Sequence, residues 1–271
     1  MNYILSHFER DAESTASHHD ILCFLNSKVK NVPDAKLVFF TNLKEDAPRE
    51  NVEFIDATNL SRMSVPATDR FQFYLDYLNS SSFSETDRFI FCDCRDVCFA
   101  RNPFKVLDFY RKDLIIIGAE NSAYTINSDG CNLNWINIQN PRNAGLFGDK
   151  SIICSGVVLA TGWSIAKLFL SQMCCIALYY NNILKREGTN DQGLLNELYH
   201  LHLEKYPENV AAIPNENNPL MFHLALCDSS SYKLDTENII VTSSGVKPCI
   251  LHQYDRHPPI THEVRTRFLR V

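Results

Sequence analysis

Asp93, Arg95 and Asp96 fall within four positions, in DCRD at 93–96, between the apolar runs RFIFC and VCFA. Two carboxylates this close supply hard oxygen donors for a divalent cation. His252, in LHQYDRHP at 251–258, adds an imidazole of the kind that binds manganese or zinc through a neutral ring nitrogen. Asp93 or Asp96 together with His252 suffices to hold one divalent ion against a diphosphate, where the ion acts as a Lewis acid on the departing phosphate. Arg95 and Arg256 add fixed positive charge suited to phosphate oxygens. The plainer readings are a surface histidine in a polar tail for His252 and a salt bridge to Asp255 for Arg256.

Two further clusters follow in chain order. In IICSGVVLATG at 152–162, Gly156 lies in or beside a buried strand, where a missing side chain admits a close ligand or simply aids packing. In NDQGLLN at 190–196, Asp191 follows Gly188 and Thr189 and opens a helix. It serves as a helix cap, or as a carboxylate that takes a proton from an attacking hydroxyl or stabilises positive charge on a sugar.

Alternating strands and helices must position these groups. Short apolar runs at 2–5, 36–41 and 52–56 have the length of strands buried on both faces, and HHDILCFLNSKVK at 18–30 between them reads as a helix. A helix is expected over about 69–79, capped by Thr68, with Phe71, Tyr74, Leu75 and Leu78 at helical spacing. It feeds into the strand RFIFCD, so the charged cluster sits at a strand's carboxyl end, where open parallel sheets place their ligands. LIIIGAEN at 114–121 and the 152–162 segment read as two more strands, and the Asn- and Gly-containing stretch between them as a long functional loop. A buried helix over 163–184, a helix from the NDQ segment and a loop-rich tail over 207–271 complete the expectation: one α/β domain with a mostly parallel central sheet flanked by helices.

With 271 residues and 45% hydrophobic content, the chain is long enough for a sizeable core. A net charge of −6 argues against a general nucleic-acid binder, which needs a basic surface. The amino terminus does not read as a signal peptide and no segment is a clean membrane span, so the expected location is cytoplasmic. Without export, the ten cysteines read as small hydrophobes rather than disulfides, and zinc through Cys92, Cys94 and Cys131 is a weaker alternative.

Taken in order, the four clusters resemble those of the GT-A glycosyltransferases, which move a sugar from a nucleotide diphosphate donor to an acceptor hydroxyl. DCRD resembles their DxD motif, with Asp93 at the first Asp, Arg95 where the second Asp usually stands and Asp96 one place later. IICSG resembles their donor-side strand, NDQGLLN their DQ-type motif and HQYDRHP their carboxyl-terminal metal histidine. RDVCFARNPF is similar to an RDVxFQxxPF segment of several such families. Family 8 relatives share the DQ style but usually end in HxxGxxKPW, which this chain lacks.

The resemblance implies a Rossmann-like GT-A domain, with residues 1–98 on the nucleotide side and 99–271 on the acceptor side. It implies a UDP-sugar donor, a glycan or glycoprotein acceptor, and Mn2+ or Mg2+ on Asp93, Asp96 and His252. Arg70, Asp93, Arg95, Ser155, Gly156, Gln192 and Arg256 would contact the donor, and Asp191 would be catalytic, with a slight preference for inversion. A microbial or viral cytosolic enzyme fits that picture. The competing expectations are a metal-dependent phosphohydrolase and a non-catalytic sugar-nucleotide or glycan binder.

Overall fold

The computed structural model describes residues 1–9, 18–43, 49–60, 66–186, 190–236 and 239–269. The first half is β1 (Asn2–Phe8), α1 (His18–Asn31), β2 (Lys36–Thr41), β3 (Val52–Asp56), α2 (Pro66–Ser80), β4 (Arg88–Cys92), β5 (Val97–Phe99), α3 (Pro103–Leu107) and β6 (Ile115–Ala119). Then come α4 (Gly130–Gln139), α5 (Pro141–Phe147), β7 (Ile153–Thr161), α6 (Trp163–Leu178) and α7 (Asp191–Leu201). The chain ends with β8 (Val210–Pro214), β9 (Met221–His223), β10 (Tyr232–Leu234), β11 (Ile240–Thr242), β12 (Ile250–His252) and α8 (Pro258–Phe268).

A seven-stranded sheet in the order β3-β2-β1-β4-β7-β6-β8 carries the architecture, and β7 alone runs against the others in it. The central strands are buried on both faces, which is why they read as unbroken apolar runs: all nine residues of β7 are buried. Apolar clusters lie on both faces, one built on Phe71, Tyr74, Phe89 and Phe91, the other on Ile4, Phe24, Ile90 and Phe99. Each such side chain contributes roughly 1.5–3 kcal/mol on burial.

The antiparallel β7 is what brings the site together. Because β7 runs against β4, its amino-terminal end lies beside the carboxyl end of β4: Cys92 pairs with Val157, and the Asp93 N–H donates to the Gly156 carbonyl at 2.9 Å. Across β7, the register with β6 jumps from Ile117↔Val158 to Gly118↔Cys154, a bulge that frees residues 155–157 from β6 while β4 still holds Val157. A second sheet, β5-β12-β9, pairs late strands of the chain with β5, which directly follows the charged cluster.

Several expectations change. The stretch between β6 and β7 is not a structureless loop: it holds α4 and α5, whose N-caps Asp129 and Asn140 accept bonds from the Asn132 and Arg142 backbones. The tail from 207 contains five short strands and α8. The helix expected to 184 stops at Leu178 and continues as a π-turn over Tyr179–Ile183, and it is not wholly buried, since Leu168, Tyr179 and Ile183 are exposed. α2 begins at Pro66, so Thr68 lies inside its first turn rather than capping it. Gly188 and Thr189 lie outside the described residues. All ten cysteines are free, and Cys131 is exposed while Cys92 and Cys94 are buried, so the three form no zinc group. Among the described residues no helix is long and apolar enough to cross a membrane.

Candidate active site

Arg70 is the centre of the arrangement. It projects from the first half of α2, is 8% exposed, and is flanked by the Phe71 ring. Its Nη1 donates to Asp93 Oδ1 and its Nη2 to Asp191 Oδ2, with a further bond from Nη2 to the Ser155 carbonyl at 3.1 Å. One guanidinium fork thereby holds the carboxyl end of β4, the start of β7 and the start of α7 in register. Ser155 Oγ donates to the same Asp191 oxygen at 3.0 Å.

Asp191 reaches this point because α7 is fixed at both sides. Asn190 is the N-cap and accepts from the Gln192 N–H at 2.9 Å. One turn later Asn196 pairs its amide with both backbone groups of Ile153, at 2.8 Å each, so that it acts as an extra strand residue beside β7. Asp191 is therefore an acidic first-turn residue, next to the cap rather than the cap itself.

The other oxygen of Asp93 faces His252. Asp93 Oδ2 is 3.4 Å and Asp96 Oδ1 3.7 Å from His252 Nε2. Strand pairing sets this: β12 runs antiparallel to β5 with His252 opposite Val97, the residue after Asp96. Gln253 then takes a left-handed conformation (φ 59°) that ends the strand, and its N–H donates to the Asp96 carbonyl at 2.8 Å. His252 is 2% exposed, which overturns the surface-histidine reading. Burial disfavours its charged form, but Cys154 and the Asp96 and Glu120 carboxylates outweigh that and raise it to about 9. Burial, reinforced by His252, keeps its neighbour His223 well below the ordinary histidine range.

No protein-family model matches the sequence, and no curated protein does at a significant level. Solved structures do. The galactosyltransferase LgtC, in complex with donor and acceptor sugar analogues, is similar over 99% of this chain and 94% of its own, at a TM-score of 0.54 and 15% identity. A mutant of LgtC with an active-site glutamine changed to glutamate gives the same coverage and TM-score at 14% identity. The fold is GT-A.

Proteins of the GT-A fold commonly use a divalent cation, and the residues here fit one. Asp93, Asp96 and His252 each offer a ligand atom within 4.8 Å of the others, an O, O, N set suited to manganese or magnesium. The backbone leaves room in front of them: a Cβ on Gly156 would sit 2.3 Å from His252 Nε2 and 2.9 Å from Asp93 Oδ2. Close approach, rather than backbone freedom, is what requires glycine there.

Among the residues expected to contact a donor, the candidate site gathers Arg70, Asp93, Ser155, Gly156 and Gln192. Gln192 is buried and donates to Glu120 at 3.1 Å and to Asn132 of α4 at 2.9 Å. Arg95 is exposed on the turn between β4 and β5. Arg256 is exposed too, with Nε 3.5 Å from Asp255, the salt-bridge reading of that residue. Sequence reasoning missed Glu120, Asn132, Cys154 and His223. Glu120 and Cys154 stood inside quoted strands, whereas nothing local marked His223.

Proposed function

We propose that this chain is a metal-dependent glycosyltransferase, moving a sugar from a UDP-sugar to a hydroxyl on a glycan or glycoprotein. The observation that carries the reading is the convergence of Asp93, Asp96 and His252 beside the Arg70–Asp191 pair, at the ligand edge of a GT-A sheet. Mn2+ or Mg2+ held by those three side chains would neutralise charge on the leaving diphosphate. Residues 1–98 then form the nucleotide side and 99–271 the acceptor side. Arg95 supplies exposed positive charge for the diphosphate, a role for which Arg256, held by Asp255, is less well placed. Ser155 and Gly156 lie along the donor sugar, and Gln192, whose amide nitrogen bonds inward, meets it through its carbonyl oxygen.

Arg70 and Ser155 both occupy Asp191 Oδ2, which leaves Oδ1 for the acceptor hydroxyl. Deprotonation there inverts the anomeric configuration. The same guanidinium-held carboxylate also suits stabilisation of positive charge on the sugar carbon, which retention requires. NMR of the product anomer separates the two.

The test is UDP release in the presence of Mn2+, an acceptor and a donor panel. UDP-galactose heads the panel because the similar structure is a galactosyltransferase, followed by UDP-glucose and UDP-xylose. Acceptor-dependent UDP release supports the reading. Phosphate release from simple esters without an acceptor points to a phosphohydrolase instead, and donor binding without turnover to a non-catalytic binder.

A further inference from the structure

Behind His252 lies a second group of ligand atoms that sugar transfer does not use. Cys154 of β7, His223 of β9 and His252 of β12 are all buried, and one ligand atom of each lies within 4.8 Å of the other two. His252 Nδ1 is 3.4 Å from Cys154 Sγ and 3.0 Å from His223 Nδ1. Register builds the group. His252 pairs with His223 in the parallel β12–β9 ladder, so their side chains leave the same face of the small sheet. The β6–β7 bulge sets Cys154 opposite Gly118, and a Cβ on Gly118 would meet His223 Nε2 at 2.1 Å.

Within the trio, hydrogen bonding pairs His252 Nδ1 with only one of the other two atoms at a time. A neutral imidazole Nδ1 is one donor or one acceptor. Protonated, His252 Nδ1 serves the sulfur or His223 but not both; unprotonated, the thiol and a His223 N–H compete for one lone pair. A cation between them takes one lone pair from each. Zinc bonds of about 2.0–2.1 Å to nitrogen and 2.3 Å to sulfur set tetrahedral ligand atoms about 3.3–3.6 Å apart, so a small opening of the two rings admits the ion.

We propose that Cys154, His223 and His252 form an inner site for a borderline-soft cation of the zinc class, and that this site competes with the outer oxygen-rich site for His252. Binding releases the Cys154 proton and the Nδ1 proton of His252 to solvent. The resulting thiolate and the buried Glu120 carboxyl, ionised beside the cation, balance the ion's charge. Once Nδ1 holds the ion, Nε2 carries the ring proton and faces Asp93 Oδ2 and Asp96 Oδ1, the carboxylate–histidine–metal arrangement that steadies a ligand imidazole. The outer site needs the lone pair on that same Nε2. Inner zinc would thereby act as a brake on outer manganese. The inner site is independent of the sugar-transfer reading; the competition rests on it.

The 271-residue chain, expressed in zinc- or cobalt-supplemented minimal medium and dialysed, tests this. X-ray absorption of the zinc form should show one sulfur at about 2.3 Å and imidazole nitrogens at about 2.0–2.1 Å. The cobalt form should show an intense near-ultraviolet sulfur-to-cobalt band, lost in Cys154→Ser and kept in Asp93→Asn. Zinc-loaded protein should bind Mn2+ ~10-fold or more weakly than the metal-free form, by electron paramagnetic resonance of free Mn2+. No retained metal, or a metal without a sulfur ligand, overturns the inner site, and the absorption measurement on wild type needs no variant to fold. Equal Mn2+ affinity with and without zinc overturns the competition. Sulfur-bound zinc in a protein that never binds Mn2+ upholds the inner site and sinks the outer one.

Discussion

Two pairs of carboxylates flank β7 and are held in opposite ways. Asp93 and Asp191 share the guanidinium of Arg70. Glu120 and Glu197 pair with no lysine or arginine among the described residues; Glu120 accepts from Gln192 and Glu197 from Tyr180. Burial pushes both glutamates above the ordinary carboxylate range. The difference is one of compensation: a buried arginine bridges Asp93 and Asp191, whereas neutral donors hold Glu120 and Glu197 and burial shifts both towards the neutral form.

The sharpest way to break that comparison is to remove the shared cation. Arg70→Leu leaves Asp93 and Asp191 without their partner and should cost about 3 kcal/mol, the low end for a broken buried pair because the Asp93 side chain is 34% exposed. Urea unfolding measures it, and Arg70→Leu with Asp191→Asn should recover part of the loss. A loss under about 1 kcal/mol would place the pair with ordinary surface bridges and end the distinction.

Asp191→Asn keeps the shape and removes only the charge. Arg70 retains Asp93, so the fold should hold, while kcat for sugar transfer should fall ~100-fold or more. Mn2+ affinity, set on the other side of Arg70, should stay within about threefold of wild type, well short of what losing a ligand costs. A kcat unchanged by this substitution removes Asp191 from the chemistry.

Gly156→Ala probes the space between the two sides. The new Cβ would lie 2.2 Å from His252 Cε1 and 2.9 Å from Asp93 Oδ2, so the imidazole must move. Expected are a loss of roughly 1–3 kcal/mol from overpacking and, by titration calorimetry, Mn2+ binding weakened ~10-fold. Unchanged Mn2+ affinity would show that His252 is not a ligand.

How much of this was legible follows from range and periodicity. Strands buried on both faces announce themselves as apolar runs, so β1, β2, β4, β6 and β7 were readable, and with them the placement of Asp93 at a strand end. α4 was not: GCNLNWINIQ spreads its apolar residues around the helix, so its asparagines read as loop. β9 and β12 have three residues each, too few to show alternation. Motif resemblance brought Asp93, Asp191 and His252 forward, but the Arg70–Asp191 bond spans 121 positions and His223 meets His252 across 29. Such contacts are properties of register, which no local pattern encodes. Arg95 and Arg256 stood out for their charge, and charge alone does not say whether a side chain points into the site or into water.

The smallest expected effect tests the uncompensated side. Glu197 is 5% exposed, and its raised pKa means the folded state keeps a proton that the unfolded chain has released. Stability is then highest at low pH as far as this group is concerned. It falls as pH rises from the ordinary carboxylate value towards the raised one, by at most ~1.4 kcal/mol per pH unit, and is flat above. Glu197→Gln keeps an oxygen for the Tyr180 hydroxyl and cannot ionise, so it should remove that slope and leave the variant at least as stable as wild type at pH 7. Urea midpoints from pH 4 to 8 decide it. Identical profiles for the two proteins would mean that Glu197 is already charged in the fold, and that an unpaired carboxylate is tolerated beside β7 after all.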